Sequence, residues 1–313
     1  MKSTFKVIKS NEGQRLDIFL SSVITDSSRS YLQKQIKNGS ILLNDQKVLK
    51  SNHPVREGDI IKVEIKEKSE KEIVVKPIEM PIDIVFQNKD LVVVNKKHGI
   101  CVHPAVGNWE NTLINGLLYK YKELAKVGSG NKLGLIHRID KETSGLVLVA
   151  LSNKALWFFS RQFEEREVEK SYLAVVKGDI NKAFKGRRKL QVSNYLGRNR
   201  RNRKKITVVE KEKGRIATTN VYHIRTVRDM KLGSVSLVKA MPKTGRTHQI
   251  RVHLSNLGFP IIGDEIYGKG VKYKRMMLHA YKLTVKMISG KSRTFQAVIP
   301  QEFHKLFDID TKL

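Results

Sequence analysis

Four stretches of this chain carry residues whose types and spacing suit chemistry. In HRIDKETSGLVLVA, Arg138 and Asp140 stand directly before the apolar run Leu146 to Leu151. A carboxylate kept ionised against such a core needs a permanent positive partner, because an unpaired buried charge is costly. Arg138 and Asp140 are therefore either an ion pair closing a turn or a working carboxylate with its attendant cation. In EKSYLAVVKG, Tyr172 opens a strand, where an aromatic ring packs on the core or faces a planar ligand. GRTHQIRVHL carries Arg246, Ile250 and Arg251; read as extended, its neighbouring residues Ile250 and Arg251 face opposite sides and cannot share one role. The fourth stretch, FKGRRKLQVSNYLGRNRRNRKKITV, is intensely basic: Arg198, Arg200, Arg201, Arg203, Lys204 and Lys205 fit a loop or hairpin lying on a polyanion.

Other chemistries lack their residues. No G-x-x-x-x-G-K-[ST] or G-x-G-x-x-G follows a strand pattern, so neither a nucleoside triphosphate nor a dinucleotide site is expected. His248 and His253 are five apart with no acidic helper between them, and His98, His103 and His137 are scattered, so no metal site is expected. The single cysteine, Cys101, excludes an internal disulfide and a cysteine-based zinc site. No cofactor is expected.

The elements that must position these residues fall into two parts. Residues 13–66 read as a small module. RLDIFLSSV and RSYLQKQIKNG have helical apolar spacing, SILLNDQKVLK is a hairpin turning at Asn44-Asp45, and a further strand follows Gly58-Asp59. Arg29, Lys34 and Lys37 recur along the second helix as either a solvated face or a contact surface. The charged, core-poor stretch that follows reads as a linker over 67–80. From 81 to 313 strand patterns dominate (IDIVFQN, DLVVVNK, GLVLVAL, KSYLAVVKG, TTNVYHIRTV, GSVSLVKAM, AYKLTVKM), with helices chiefly at NTLINGLLYKYKELA and NKALWFFSRQFEER. Strands that do not alternate regularly with helices predict an α+β fold with a mixed, largely antiparallel sheet.

The chain has 313 residues, with 60 Lys+Arg against 30 Asp+Glu, a formal charge of +30. Such an excess calls for a polyanionic partner, nucleic acid before an anionic membrane surface. No stretch approaches the roughly 18 apolar residues of a membrane span, no basic amphipathic helix suits a membrane surface, and the N-terminus lacks a secretory apolar segment. A cytoplasmic protein is expected.

The module's G-Q-R-L-D-x-F-L, S-R-S-x-x-Q-x-x-I-x-x-G and V-R-E-G-D-x-I resemble, in order, the S4 RNA-binding domain. HRIDKETSGLVLVA, KSYLAVV, KKITV, GRIATTNVYHI and GRTHQIRVHLSNLGFPIIGDEIYG resemble, in order over about residues 81–300, the RluA family of pseudouridine synthases. That resemblance implies a cofactor-free isomerase that detaches uracil from its ribose and rejoins it through carbon 5. It implies Asp140 as the catalytic carboxylate, Tyr172 as the ring stacking on uracil and assisting at carbon 5, and Arg251 as the partner of Asp140. It also implies that Ile250 lines the uracil pocket and that Arg138 fills the RNA stack vacated by the flipped nucleotide; Arg246 is a further expected substrate contact. The implied partner is structured RNA, ribosomal before transfer RNA, and the protein is expected to act as a monomer. A non-catalytic RNA-binding or ribosome-assembly protein remains the rival of another class, although it would need the basic surface and not Asp140.

Overall fold

The computed structural model describes residues 2–24, 29–64, 75–105, 107–128, 133–199, 201–268 and 270–307. The chain divides into two compact units, Met1–Glu72 and Ile73–Leu313.

The first unit packs two helices, α1 (Leu16–Val23) and α2 (Arg29–Lys37), on a four-stranded sheet. Its strands are β1 (Lys2–Lys6), β2 (Ile41–Leu43), β3 (Gln46–Lys47) and β4 (Ile60–Glu64), in the order β1-β4-β2-β3. Leu16, Phe19 and Leu20 of α1 meet Leu32 and Ile36 of α2 and Ile41, Ile61 and Val63 of the sheet in one core. The hairpin turns at Asn44 and Asp45, both at positive φ (50° and 63°), as a two-residue loop between twisted strands requires. Asp17 is fully buried and accepts hydrogen bonds from Arg15 Nε at 3.0 Å and from Gln33 Nε2. The polar residues of the S4 signature thus join α1 to α2. β1 pairs along its whole length with β4, so the unit begins before residue 13. Its short alternating pattern becomes a strand only by pairing, which local periodicity does not reveal.

The second unit is built on a ten-stranded sheet. Its strands are β5 (Ile84–Gln87), β6 (Leu91–Lys96), β7 (Ser144–Ala150), β8 (Glu169–Lys177), β9 (Leu190–Arg198), β10 (Ile206–Val209), β11 (Arg215–Asp229), β12 (Gly233–Pro242), β13 (Leu278–Lys286) and β14 (Ser292–Gln296). The order is β10-β9-β11-β12-β8-β13-β7-β6-β5, with β14 against β13. Only β13 and β7 run parallel; the other pairs are antiparallel, which gives the mixed sheet of an α+β fold. The helices are α3 (Leu113–Lys120), α4 (Asn153–Glu164), the short α5 (Asn181–Phe184), α6 (Gln249–Asn256) and the short α7 (Gln301–His304).

The uninterrupted apolar run of β7 follows from burial on both faces. Val147 and Val149 join Ile114, Leu117 and Leu118 of α3, while Leu146, Leu148 and Ala150 join Ala155 and Phe159 of α4. Gly145 sits where β7 meets β13 with φ +112°, and a Cβ there would lie 2.2 Å from Ala280 O. Only glycine permits that approach.

Two expectations are corrected. The linker does not extend to 80: Val75 is buried with Val92 and Leu113, and Asn115 Nδ2 donates to Lys76 O at 2.7 Å. Residues from 75 onward belong to the second unit, because Asn115 and the α3 core hold them; residues 65–74 lie outside the described chain. The second correction concerns GRTHQIRVHL, which is helical from Gln249 rather than extended. The turn is locked by the Gln249 side chain, which accepts from Thr244 Oγ1 (2.6 Å) and Arg246 N (3.0 Å) and donates to Thr218 O and Thr219 Oγ1. Residues adjacent on a helix lie about 100° apart rather than 180°. Ile250 and Arg251 can therefore both reach one cavity.

Candidate active site

A cavity of about 450 Å³ opens between the loop preceding β7, the α4–β8 connection and the N-terminus of α6. Its lining includes Arg138, Asp140, Tyr172, Arg246, Ile250 and Arg251, so the sequence-expected residues of the catalytic domain's centre converge on one place.

Asp140 is presented by the turn that leads into β7, with Thr143 N donating to Asp140 O at 3.2 Å. Its carboxylate is a quarter exposed and accepts from Arg251 Nη1 at 3.0 Å. Arg251 is anchored from behind: its Nε and Nη2 donate to the two oxygens of Asp264 at 2.8 and 2.9 Å. Asp264 is fully buried and also accepts from the backbone N–H of Ile266 and Tyr267. Burial alone would lower the pKa of Arg251, but the bonds and charges of Asp264 and Asp140 outweigh it and raise the value. Burial would raise the pKa of Asp264, and the Arg251 guanidinium overrides it, holding that carboxyl below its ordinary range. The result is a fixed cation with one donor turned toward the cavity.

Tyr172 lies on β8 between β12 and β13. Burial first, and then the charge of Asp140, raises its pKa, so it meets a ligand as a neutral phenol. Ile250 forms an apolar wall and is continuous with the core. Arg138 is exposed at the cavity edge. Arg246 is half-buried and donates through Nε to Ile216 O.

Several supporting residues carried no assignment from sequence. His248, at the left-handed residue that starts α6 (φ 54°), places Nε2 3.9 Å from Asp140 Oδ2. Its Nδ1 lies 2.9 Å from Tyr267 OH, which accepts from Ile206 N. Burial lowers the pKa of His248, which favours the neutral ring beside Asp140. Lys96, buried on β6, donates to the carbonyls of Lys97 (2.8 Å), Ile100 (2.7 Å) and Lys141 (3.0 Å), tying the residue after Asp140 to the sheet. Arg275 Nη2 donates to Ser144 Oγ at 2.5 Å, which fixes the other end of the same turn. Asp264 was legible only as part of G-D-E-I-Y-G. No local pattern says that its carboxylate folds onto Arg251.

The basic stretch forms the β9–β10 hairpin. Arg198, Arg201, Arg203 and Lys204 are exposed and Lys205 is half-buried; Arg200 lies outside the described residues. Arg198 Nη1 donates to Arg203 O at 3.1 Å, and the strand that leaves the hairpin tip is tied through Ile206 to Tyr267. In the first unit Lys34 and Lys37 are exposed on α2, while Arg29 lies outside the described side chains. Among the described residues, no cluster of three or more His, Cys, Asp or Glu could hold a metal, and no helix is long and apolar enough to cross a membrane.

A paired carboxylate, a neutral phenol and an apolar wall in one cavity on a mixed sheet suit glycosidic chemistry on a planar base presented by RNA. The family profile "RNA pseudouridylate synthase" matches residues 90–256, and the profile "S4 domain" matches residues 14–61. The chain is 34% identical over 300 residues to ribosomal large subunit pseudouridine synthase D of Borreliella burgdorferi, covering 92% of this chain and 87% of that one. It is 37% identical over 311 residues to the protein of the same name from Neisseria meningitidis serogroup B, covering 95% and 79%. The solved structure of human RNA pseudouridylate synthase domain containing 1 superposes with a TM-score of 0.56 at 28% identity, covering 75% of this chain and 86% of that one. The chain belongs to the RNA pseudouridylate synthase family and carries an S4 RNA-binding domain; it is an RNA pseudouridine synthase.

Proposed function

We propose that this enzyme converts specific uridines of large-subunit ribosomal RNA to pseudouridine, acting as a cytoplasmic monomer. The observation that carries the reading is the Asp140 carboxylate, held at 3.0 Å by an arginine already fixed on Asp264 and facing a cavity lined by Tyr172 and Ile250. The ribosomal substrate is supported by the relatives named for it and by an S4 domain on a chain of formal charge +30.

A uridine stacked in a helix reaches the cavity by turning out of it, and Arg138, exposed at the rim, can stack in the vacancy. Asp140 acts at the ribose carbon as the bond to N1 breaks. The detached uracil turns between Tyr172 and Ile250, and the ribose carbon bonds to C5. The proton lost from C5 is matched by one gained at N1, so no redox partner or cofactor is consumed. Arg251 keeps Asp140 ionised and aimed, while Tyr172 supplies a stacking face and, as a neutral phenol, moves the C5 proton only by passing on its own. Arg246 adds a further contact to the substrate from the cavity wall. Arg29, Lys34 and Lys37 of the S4 domain and Arg198 to Lys205 of the hairpin supply phosphate contacts that strengthen binding without reading sequence.

The test is pseudouridine mapping of ribosomal and transfer RNA from cells with and without the gene. Loss of sites confined to large-subunit ribosomal RNA is expected. Loss confined to transfer RNA would overturn the substrate, and no loss in either would favour a non-catalytic RNA-binding role.

A further inference from the structure

A cavity of about 450 Å³ has room for more than a uracil ring, and two cations in its lining, Arg166 and Lys170, have no part in the isomerisation described above. Arg166, Lys170 and Arg246 all face it. None of the three has a carboxylate partner by hydrogen bond or ion pair among the described residues. They also disfavour one another. Burial lowers the pKa of Lys170, and the charges of Arg166 and Lys243 lower it further; burial lowers that of Arg246, and Arg215 and Arg166 add to the effect. Lys170 and Arg246 are half-buried, Arg166 is exposed at the rim, and the side-chain partner of Lys170 among the described residues is the Phe163 ring, 5.8 Å from its amine. Like charges gathered in this way are best offset by an anion.

The backbone at Arg166 points the same way. Helix α4 ends with Glu167 N bonded to Gln162 O (2.9 Å) and Arg166 N to Phe163 O (3.4 Å), with Arg166 at φ 63°. This is the helix-ending pattern in which glycine normally fills the left-handed position, because a side chain there is strained. An arginine in that place serves the helix end worse than glycine would, and its side chain lines the cavity. Lys170 is two residues before Tyr172 on β8, so the two share a strand face at a spacing of about 6–7 Å. Both line the cavity, so an amine and a ring are offered to one ligand.

We propose that Arg166 and Lys170, together with Arg246, form a phosphate subsite that grips a backbone phosphate of the target nucleotide while Asp140 works at its ribose. This rests on the pseudouridine synthase reading above. The subsite gives the flipped nucleotide a second anchor, set by charge rather than by base identity, that holds the ribose in register with Asp140.

The experiment uses the full-length protein and a synthetic RNA hairpin carrying a uridine mapped as above. Turnover of that hairpin by the wild type comes first; its absence would overturn the proposed reaction and this subsite with it. Given turnover, Arg166→Gly and Lys170→Met should each raise KM about tenfold, far more than they lower kcat. Arg166→Gly should also keep or raise the thermal midpoint, since glycine suits that φ. An unchanged KM with a lowered midpoint would mean that Arg166 serves only the helix end, and the proposal would fall. A second measurement places one neutral methylphosphonate on the 5′ or the 3′ side of the target uridine. At one of the two positions wild-type affinity should drop about tenfold, while Lys170→Met, which has no amine to offer, should weaken little further. If both proteins weaken equally at each position, the amine has no phosphate there and the subsite is refuted.

Discussion

Arg251 is bound by Asp264 before it is available to Asp140: two of its nitrogens close on the buried carboxylate at 2.8 and 2.9 Å, and one remains for the cavity at 3.0 Å. Asp140, which the family resemblance pairs with Arg251, is the more exposed third member of a triad whose structural weight lies on Asp264.

The energetic consequence is asymmetric. Arg251→Met strands a carboxylate with no exposure, which should cost on the order of 3–5 kcal/mol in urea unfolding. Adding Asp264→Asn should recover part of that loss, whereas Asp140→Asn should cost little by itself because its carboxylate is a quarter exposed. A double-mutant cycle in which Arg251→Met and Asp264→Asn add to within about 0.5 kcal/mol would show that the two are uncoupled.

Asp140→Asn keeps shape and removes charge. Turnover should fall below about a thousandth of wild type while RNA affinity stays within a few-fold. Residual turnover well above that level would remove Asp140 from the chemistry.

Tyr172 should contribute no alkaline limb to the pH–rate profile at or below the ordinary tyrosine range near about pH 10, since burial and Asp140 raise its pKa. A limb below that range that disappears in Tyr172→Phe would mean that the working form is a phenolate.

His253 and His279 are fully buried, and burial lowers their pKa values to about 4 and about 3, with the charge of Arg275 adding to the shift at His279. Below about pH 6.5 the unfolded chain binds protons that the folded chain refuses, so stability falls as pH falls toward those values. By pH 5 each ring should remove about 2 kcal/mol. The check is the urea midpoint from pH 7 to 5: a flat profile contradicts the burial of neutral imidazoles, and His279→Gln should flatten its share of the slope.

A chain beginning at Ile73 lacks the S4 domain but keeps Val75 and Lys76, which the second unit needs. It should keep most of its kcat at saturation with a raised KM. The slope of log binding against log salt should shrink by roughly 0.7–0.9 for each phosphate that the shortened chain no longer neutralises. An unchanged slope would mean that the S4 domain does not touch the RNA, and a collapse of kcat would mean that it helps to build the active site.

The sequence by itself determined the elements and the chemistry that sits at their ends. The branched run after Gly145 reads as a core strand, and the α1, α2 and hairpin patterns are local. Asp140, Tyr172 and Arg251 stand in motifs specific enough to carry an expectation of role. Tertiary structure alone decided what holds them. β1 is a strand because β4 pairs with it, and GRTHQIRVHL becomes a helix because Gln249 finds Thr218 and Thr219 across the fold. Asp264 on Arg251 and Lys96 on the carbonyl of Lys141 are arrangements of residues well separated in sequence. Their types are common, and their meaning comes from burial and distance, which a linear pattern does not contain.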